Sequence, residues 1–256
     1  MVRGINYKFW KSKRVLITGH TGFKGSWMTS WLLKLGSRIR GLSLPLSDTN
    51  YLFNSIKNSI DSEVDSVYGN ILDRSFLEKS INEFQPEIIF HFAAQSLVLE
   101  SYDDPIKTWE TNLLGTLNLL NSLKQLKNNC SLVIITTDKV YKNKEWIHGY
   151  RENDELGGFD PYSASKAACE IAVSSWRSSF SEKEDFYKYK INIATARAGN
   201  VIGGGDWAEN RIVPDIIRSL ISSKKVVIRN PNSQRPWQHV LEPLEGYLFL
   251  AETITL

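Results

Sequence analysis

Short apolar runs rich in Val and Ile recur along the chain, separated by longer stretches whose apolar residues return every three or four positions. The first pattern is that of strands buried on both faces, the second that of helices packed along one side. Strands are predicted near Val15–Thr18, Ile39–Leu44, Val64–Tyr68, Ile88–Phe92, Leu132–Thr136 and Ile193–Ala196. Helices are predicted over Ser26–Leu35, Ser75–Phe84, Ile106–Leu126 and Tyr162–Ser178. Asp160-Pro161 precedes the last of these, an N-cap followed by proline at the first helical position. Alternation of this kind gives an α/β fold, a doubly wound parallel sheet of Rossmann type.

After Ala198 the alternation degrades into a Gly-rich loop, a helix over Val213–Ser222, a short strand over Val226–Ile228 and a helix from near Glu242. The expected division is a Rossmann-type domain over residues 1–197 and a smaller lobe over 198–256. The sequence ends at Leu256 inside an apolar helical pattern with no C-cap signal, so a C-terminally truncated lobe is expected. Lys142–Asp160 is irregular and rich in Gly and charge, as an active-site loop would be.

Three segments carry chemistry. Thr18-Gly19-His20-Thr21-Gly22-Phe23-Lys24-Gly25 lies directly after the first strand and before the first long helix. Glycines there permit a tight turn and let backbone N–H groups at a helix N-terminus approach a pyrophosphate. The spacing is G-x-x-G-x-x-G. An acidic residue about twenty positions on would hold a ribose, but the second strand runs Gly41-Leu42-Ser43-Leu44-Pro45 and Asp48 comes late. Arg40 lies inside that strand, so no arginine at its end favours a 2′-phosphate. Asn70-Ile71, after the third strand, could receive an adenine edge.

Tyr162 and Lys166 are four residues apart on a helix, which puts phenol and ammonium on one face; a lysine there stabilises a phenolate able to act as a base. Thr136-Thr137-Asp138-Lys139-Val140-Tyr141 closes the fifth strand. In open parallel sheets ligands bind at the carboxyl ends of the strands, so the three segments share one crevice.

Composition narrows the partners. With 31 Lys and Arg against 28 Asp and Glu the formal charge is +3, without a long run of either sign, so a nucleic-acid footprint is not indicated. Cys130 and Cys169 lack disulfide or metal-ligand spacing, no metal site is expected, and His91 and His239 sit beside apolar residues as structural histidines do. No window reaches the apolar length of a membrane span and the N-terminus lacks a signal-peptide core, so a cytoplasmic protein is expected.

The segments GHTGFKGSW (Gly19–Trp27), HFAAQSL (His91–Leu97), TTDKVY (Thr136–Tyr141), GYRENDELGGFDPYSASK (Gly149–Lys166), ARAGNVIGGGDW (Ala196–Trp207) and RNPNSQRPWQHVLEP (Arg229–Pro243) resemble the extended short-chain dehydrogenase/reductases, and among them the nucleotide-sugar 4,6-dehydratases. That resemblance implies NAD held by Gly19, Thr21, Gly22, Phe23, Lys24, Gly25, Asn70, Ile71, Ala93, Ala94 and Gln95, with Tyr162 and Lys166. It implies catalysis by Thr137, Asp138, Lys139, Tyr162 and Lys166, and substrate contacts at Asn200, Arg211 and Arg235. Related dTDP-sugar enzymes carry glutamate at the Lys139 position, so Asp138-Lys139 argues for the CDP-sugar branch, with CDP-glucose as substrate and the C5 base left open. The resemblance also implies a role in deoxysugar biosynthesis such as that of O-antigen and lipopolysaccharide. It further implies a homodimer through the Ile106–Leu126 and Tyr162–Ser178 helices, with Trp109, Leu113, Leu117 and Trp176 at the contact. Competing expectations are a dTDP- or GDP-sugar dehydratase, a nucleotide-sugar epimerase or reductase, and a silent NAD-binding regulator.

Overall fold

The structure is a computed structural model that describes residues 4–60, 62–181 and 186–256. Six strands, β1 (Arg14–Thr18), β2 (Arg38–Ser43), β3 (Val64–Tyr68), β4 (Ile88–His91), β5 (Cys130–Ile135) and β6 (Ile191–Ala196), form one parallel sheet in the order β3-β2-β1-β4-β5-β6. All six predicted strands are present. The order reverses direction between β1 and β4, the switch point at which doubly wound sheets bind ligands.

Helices cover both faces. In chain order they are α1 (Tyr7–Trp10), α2 (Phe23–Lys34), α3 (Tyr51–Ile60), α4 (Arg74–Phe84), α5 (Val98–Asp103), α6 (Pro105–Trp109), α7 (Gly115–Ser122), α8 (Pro161–Trp176), α9 (Ile212–Ile221) and α10 (Leu241–Thr255). Alternate strand residues divide between two apolar clusters because successive side chains leave a strand on opposite sides. Val15, Ile17, Ile88, Phe90, Val133 and Ile135 pack with Met28 and Leu32 of α2 and Leu244 and Leu248 of α10. Leu16, Ile89, Leu132 and Ile134 pack with Leu77 and Ile81 of α4, Leu119 and Leu120 of α7 and Val173 of α8. The terminal helix, expected in the second lobe, is therefore part of the sheet's own core. Buried Glu252 of α10 accepts from Trp10 Nε1 at 2.7 Å and from the Asn6 backbone N–H at 3.0 Å, which pins α1 to the same face.

The predicted Ile106–Leu126 helix is interrupted. Between α6 and α7, Glu110–Leu114 forms a π-turn, the kind of widening found where a helix serves a site. Val226–Ile228, predicted as a strand, is irregular, with Val227 75% exposed. It has no neighbouring strand to pair with, and its β-branched residues do not suffice alone. A second small sheet instead pairs β7 (Asn200–Ile202) with β8 (Trp237–His239) in parallel.

Two residues expected at a dimer contact are used inside the chain. Trp176 packs against Phe180 and Phe186 and donates to Tyr187 Oη at 2.6 Å, and Leu117 lies against the second core cluster. Leu99, Tyr102, Ile106, Trp109, Leu114 and Ile171, all on α5 to α8 or the turn between α6 and α7, are exposed. Among the described residues no helix is long and apolar enough to cross a membrane, and no group of His, Cys, Asp or Glu could hold a metal ion.

Candidate active site

The glycine turn sits at the switch point. Gly19 follows β1 with φ of +76°, and a Cβ there would meet Ala93 N, just beyond β4, at 2.8 Å. A Cβ on Gly25 would stand 2.1 Å from Gly19 O, so α2 can begin this close to the turn only with glycine at both places. Gly22 caps α2 in an extended conformation and offers no side-chain acceptor to the first turn. The leading N–H groups of α2 are thus available to an anion, and this bare cradle fits a dinucleotide pyrophosphate. Gly25→Ala should force α2 outward at a cost of about 1–3 kcal/mol. Calorimetric titration should then show dinucleotide affinity reduced about tenfold or more.

His20, in the same turn, packs over the second strand. Its ring is fully buried over Gly41 of β2, edge-on to Phe53, with Nε2 3.1 Å from Ser66 Oγ. Nδ1 has no partner. Burial lowers its pKa to about 4, so it is neutral. Arg40 points away, pairing with Asp65 at 2.6 Å and Glu83 at 3.4 Å across β3 and α4, so it is no clamp for a 2′-phosphate.

The cofactor candidates after β3 and β4 divide. Ala93 N donates to Thr18 Oγ1 at 3.2 Å, which fixes the backbone beside Gly19; Ala94 is half-buried next to it. Gln95 is committed elsewhere. Its amide donates to Leu97 O and Thr108 Oγ1, both at 3.0 Å, and accepts from Leu97 N at 2.5 Å. Its side chain braces the loop after β4. Ile71 is likewise a core residue packed on Gly115, and Asn70 turns its carbonyl to Leu72 N at 3.0 Å. Thr21 is buried and receives Asn50 Nδ2 at 3.3 Å.

Tyr162 and Lys166 occupy the first two turns of α8, whose start is fixed by Asp160 accepting from Ser163 N at 2.9 Å. Both are buried. Burial pushes the Tyr162 phenol up to about 12, against the Thr137 hydroxyl and the Arg211 charge, which pull it down. The four-residue spacing led to the expectation that Lys166 tunes this phenol. In the structure the Lys166 ammonium is tethered to Ile135 O at 3.0 Å, at the end of β5, and burial lowers its own pKa. Thr137 Oγ1 donates to Asp138 Oδ1 at 3.1 Å, and Asp138 N donates to Ala198 O at 3.0 Å, which ties the β5 end to the segment after β6. Lys139 follows in the same short 3-10 turn, half-buried.

The substrate candidates are placed differently from one another. Arg211 caps α9, pairs with Asp206 at 2.9 Å and reaches Ser96 Oγ at 3.4 Å, within electrostatic reach of Tyr162. Asn200 opens β7, its N–H donating to Pro236 O at 3.0 Å. Arg235 is exposed on an open cleft of about 570 Å³ that it shares with Ile147, His148, Gly149, Gln234 and Pro236.

Two participants escaped the sequence reading. Asn112, within the π-turn, is fully buried; its amide donates to Gln95 O at 3.0 Å and Ser165 Oγ at 2.9 Å, and its side-chain oxygen accepts from Gln95 N at 2.8 Å. The signal was a polar Thr-Asn step inside an apolar helix. Glu170, one turn beyond Lys166, accepts from Thr136 at 2.5 Å, Thr195 at 2.9 Å and Arg197 at 3.0 Å. Arg197 in turn covers the Tyr141 ring at 4.8 Å, and Tyr141 stacks on Tyr150 at 4.9 Å. This chain of contacts anchors the loop after β5 to the sheet end. His91 is structural as expected: Nδ1 lies 2.6 Å from Thr18 Oγ1 and Nε2 3.0 Å from Thr116 Oγ1, and burial pushes its pKa down to about 3. His239 accepts from Leu241 N at 3.4 Å at the head of α10.

Strand order, glycine turn and the Tyr162/Lys166 pair on the helix that follows together define an extended short-chain dehydrogenase/reductase. Comparison with known proteins narrows this. The family model described as GDP-mannose 4,6 dehydratase matches residues 16–253, and the chain belongs to that family. It is 48% identical to the CDP-glucose 4,6-dehydratase of Salmonella typhimurium over 98% of this chain and 69% of that one. It is 31% identical to the dTDP-D-glucose 4,6-dehydratase of Dictyostelium discoideum over 84% of this chain and 50% of the other. Among solved structures, the dTDP-glucose 4,6-dehydratase of Bacillus anthracis in complex with NAD superposes with a TM-score of 0.77 at 22% identity, covering 94% of this chain and 72% of that one. An epimerase of Methanothermobacter thermautotrophicus gives 0.79 at 22%, with 97% and 71% covered, a likeness of fold.

Proposed function

We propose that the chain is a CDP-glucose 4,6-dehydratase that removes water across C5 and C6 of the sugar to leave a 4-keto-6-deoxy product. The observation that carries this reading is the Asp138-Lys139 pair at the end of β5, beside buried Tyr162, in a chain 48% identical to an enzyme of that name. NAD on the glycine turn would supply a hydride acceptor at C4 and later a donor at C6. The remaining work falls to side chains. Tyr162 takes the proton of the 4-hydroxyl and Thr137 hydrogen-bonds the same oxygen. Once C4 is a ketone, the C5 hydrogen is acidic; Lys139 removes it while Asp138 protonates the departing 6-hydroxyl, and Lys139 gives the proton back to C5 when C6 is reduced. Lys166 would hold the nicotinamide ribose, and Asn200, Arg211 and Arg235 would hold the sugar and its diphosphate, the two arginines by guanidinium forks.

An epimerase would share the turn and the Tyr162/Lys166 pair but eliminates no water, so it has no use for an acid and a base after β5. Loss of Tyr162 or Lys166 would suit a silent binding module; both are kept. Incubation with CDP-glucose and NAD should yield the alkali-induced ultraviolet absorbance of a 4-keto-6-deoxy sugar. Turnover of dTDP-glucose or GDP-mannose in preference, or a 4-epimer as product, would reject the reading. By its chemistry this reaction opens a route to deoxysugars, such as those of O-antigen, and a cytoplasmic setting supplies its nucleotide sugar. The exposed face of Leu99, Tyr102, Ile106, Trp109, Leu114 and Ile171 suits a homodimer. Sedimentation should show a dimer at micromolar concentration, converted toward monomer by Ile106→Glu.

A further inference from the structure

Glu170 follows Tyr162 and Lys166 at the same four-residue spacing, on the same face of α8. It is buried, and both of its carboxylate oxygens are in use. Oε1 accepts from Thr136 Oγ1 at 2.5 Å and from Arg197 Nε at 3.2 Å; Oε2 accepts from Thr195 Oγ1 at 2.9 Å and from Arg197 Nη2 at 3.0 Å. The third guanidinium nitrogen of Arg197 serves the loop after β5, Nη1 donating to Glu152 O at 3.0 Å, and the same group covers Tyr141 at 4.8 Å from the ring centre. These contacts fall on both sides of one short segment. Thr136 stands directly before Thr137-Asp138-Lys139, and Tyr141 stands after it, beyond Val140. The Glu170/Arg197 pair thus grips the turn that carries Asp138 and Lys139 at its entry and at its exit. Lys166 holds the residue before Thr136, Ile135, through its carbonyl at 3.0 Å, so successive turns of α8 fasten successive residues at the end of β5. A buried ion pair adds little net stability, because desolvating both charges offsets their attraction. What a two-pronged pair with every nitrogen and oxygen bonded does fix is geometry.

We propose that Glu170 and Arg197 are positioning residues for the loss of water: they hold Asp138 and Lys139 in register with Tyr162, so that the groups acting at C4, C5 and C6 meet one sugar. The inference rests on the dehydratase reading of the site. The hydrogen bonds of the pair go to Thr136, Thr195 and the Glu152 carbonyl, so both residues act through the turn and not on the sugar. Oxidation at C4 depends on Tyr162, whose place is set by the start of α8, where Asp160 accepts from Ser163 N at 2.9 Å. Elimination depends on where the turn sets Asp138 and Lys139. Misplacing a catalytic group by about 1 Å costs on the order of 10²-fold, so loosening the grip slows the second half of the reaction and spares the first.

The test is single-turnover kinetics with CDP-glucose and NAD, following NADH absorbance and the 4-keto-6-deoxy product, beside thermal melting. Arg197→Lys keeps a charge opposite Glu170 but lacks the planar fork that also reaches Glu152 O and covers Tyr141. It should melt close to wild type, oxidise C4 within about threefold of the wild-type rate and form product about 10–100-fold more slowly, so that NADH accumulates. Glu170→Gln should accumulate NADH as well, at a lower melting temperature, because the guanidinium is left without its counter-charge. Tyr141→Leu removes the exit contact without stranding a charge, and it carries the decision if the other two variants fail to fold: NADH should again build up. Half-reactions that slow in proportion, or product formed at the wild-type rate, overturn the inference, and the pair then serves the fold alone. Wild type that converts no CDP-glucose overturns the dehydratase reading, and the inference with it.

Discussion

Tyr162→Phe should reduce turnover of CDP-glucose by about 10²–10⁴-fold, the range for loss of a general base, and should leave no transient NADH in a single turnover. The substitution removes one oxygen from a buried ring on α8 and leaves the packing in place, so circular dichroism and thermal melting should stay close to wild type. The pH profile gives a sharper check. In the free chain burial holds the phenol at about 12, so below that value the phenolate fraction grows with pH, by up to tenfold per unit. The wild-type kcat/KM should accordingly climb over the neutral range, since this ratio reports ionisations of the free enzyme. Residual activity of Tyr162→Phe should lack that limb. A variant that keeps it would place the base elsewhere.

Asp138→Asn should separate the two halves of the reaction. Oxidation at C4 needs the phenolate, while water loss needs a proton delivered to the 6-hydroxyl, which a phenol placed at C4 does not reach. Overall turnover should fall about 10²–10³-fold while NADH absorbance builds up in a single turnover. The amide keeps the shape of the side chain and can still accept the Thr137 hydroxyl, so the turn after β5 should hold. Lys139→Met then addresses the C5 proton. Near-normal exchange of the C5 hydrogen with solvent deuterium in that variant would remove Lys139 as the base. Asp138→Asn without accumulation of NADH would show that the carboxylate serves the first step as well.

The parts of this site that could be read from the sequence are those where one backbone position does one thing. Strands buried on both faces are rich in apolar residues, so the runs Ile88-Ile89-Phe90 of β4 and Leu132-Val133-Ile134-Ile135 of β5 stand out. The glycine turn announces itself because side chains at Gly19 and Gly25 would collide with backbone. What was missed depends on partners distant in sequence. α3 escaped because half of its ten residues are polar and it buries only Phe53 and Ile60. Val226–Ile228 had the composition of a strand, yet a strand needs a neighbour, and β7 pairs with Trp237–His239 instead. Arg211 and Arg235 both matched substrate positions by motif, and only the fold shows that Arg211 comes within electrostatic reach of Tyr162 while Arg235 lines an open cleft. Nothing local to Asn112 or Gln95 indicates that they bond to each other, because the link exists only once the π-turn has aimed the asparagine at the loop after β4.

That π-turn also sets how the chain tolerates change in length. Removing one residue from Glu110–Leu114 would let the segment wind as ordinary α-helix, and the residues beyond the cut would swing by about 100° relative to those before it. Asn112 O, now shared by Thr116 Oγ1 at 2.6 Å and Cys169 Sγ at 2.9 Å, would lose its lateral partner on α8. The outer face carrying Ile106 and Trp109 and the inner face carrying Leu119 and Leu120 would no longer be in phase. The extra residue thus acts as a gear tooth between surface and core, and deletions should be far less well accepted at Glu110–Leu114 than point substitutions of the exposed Leu114.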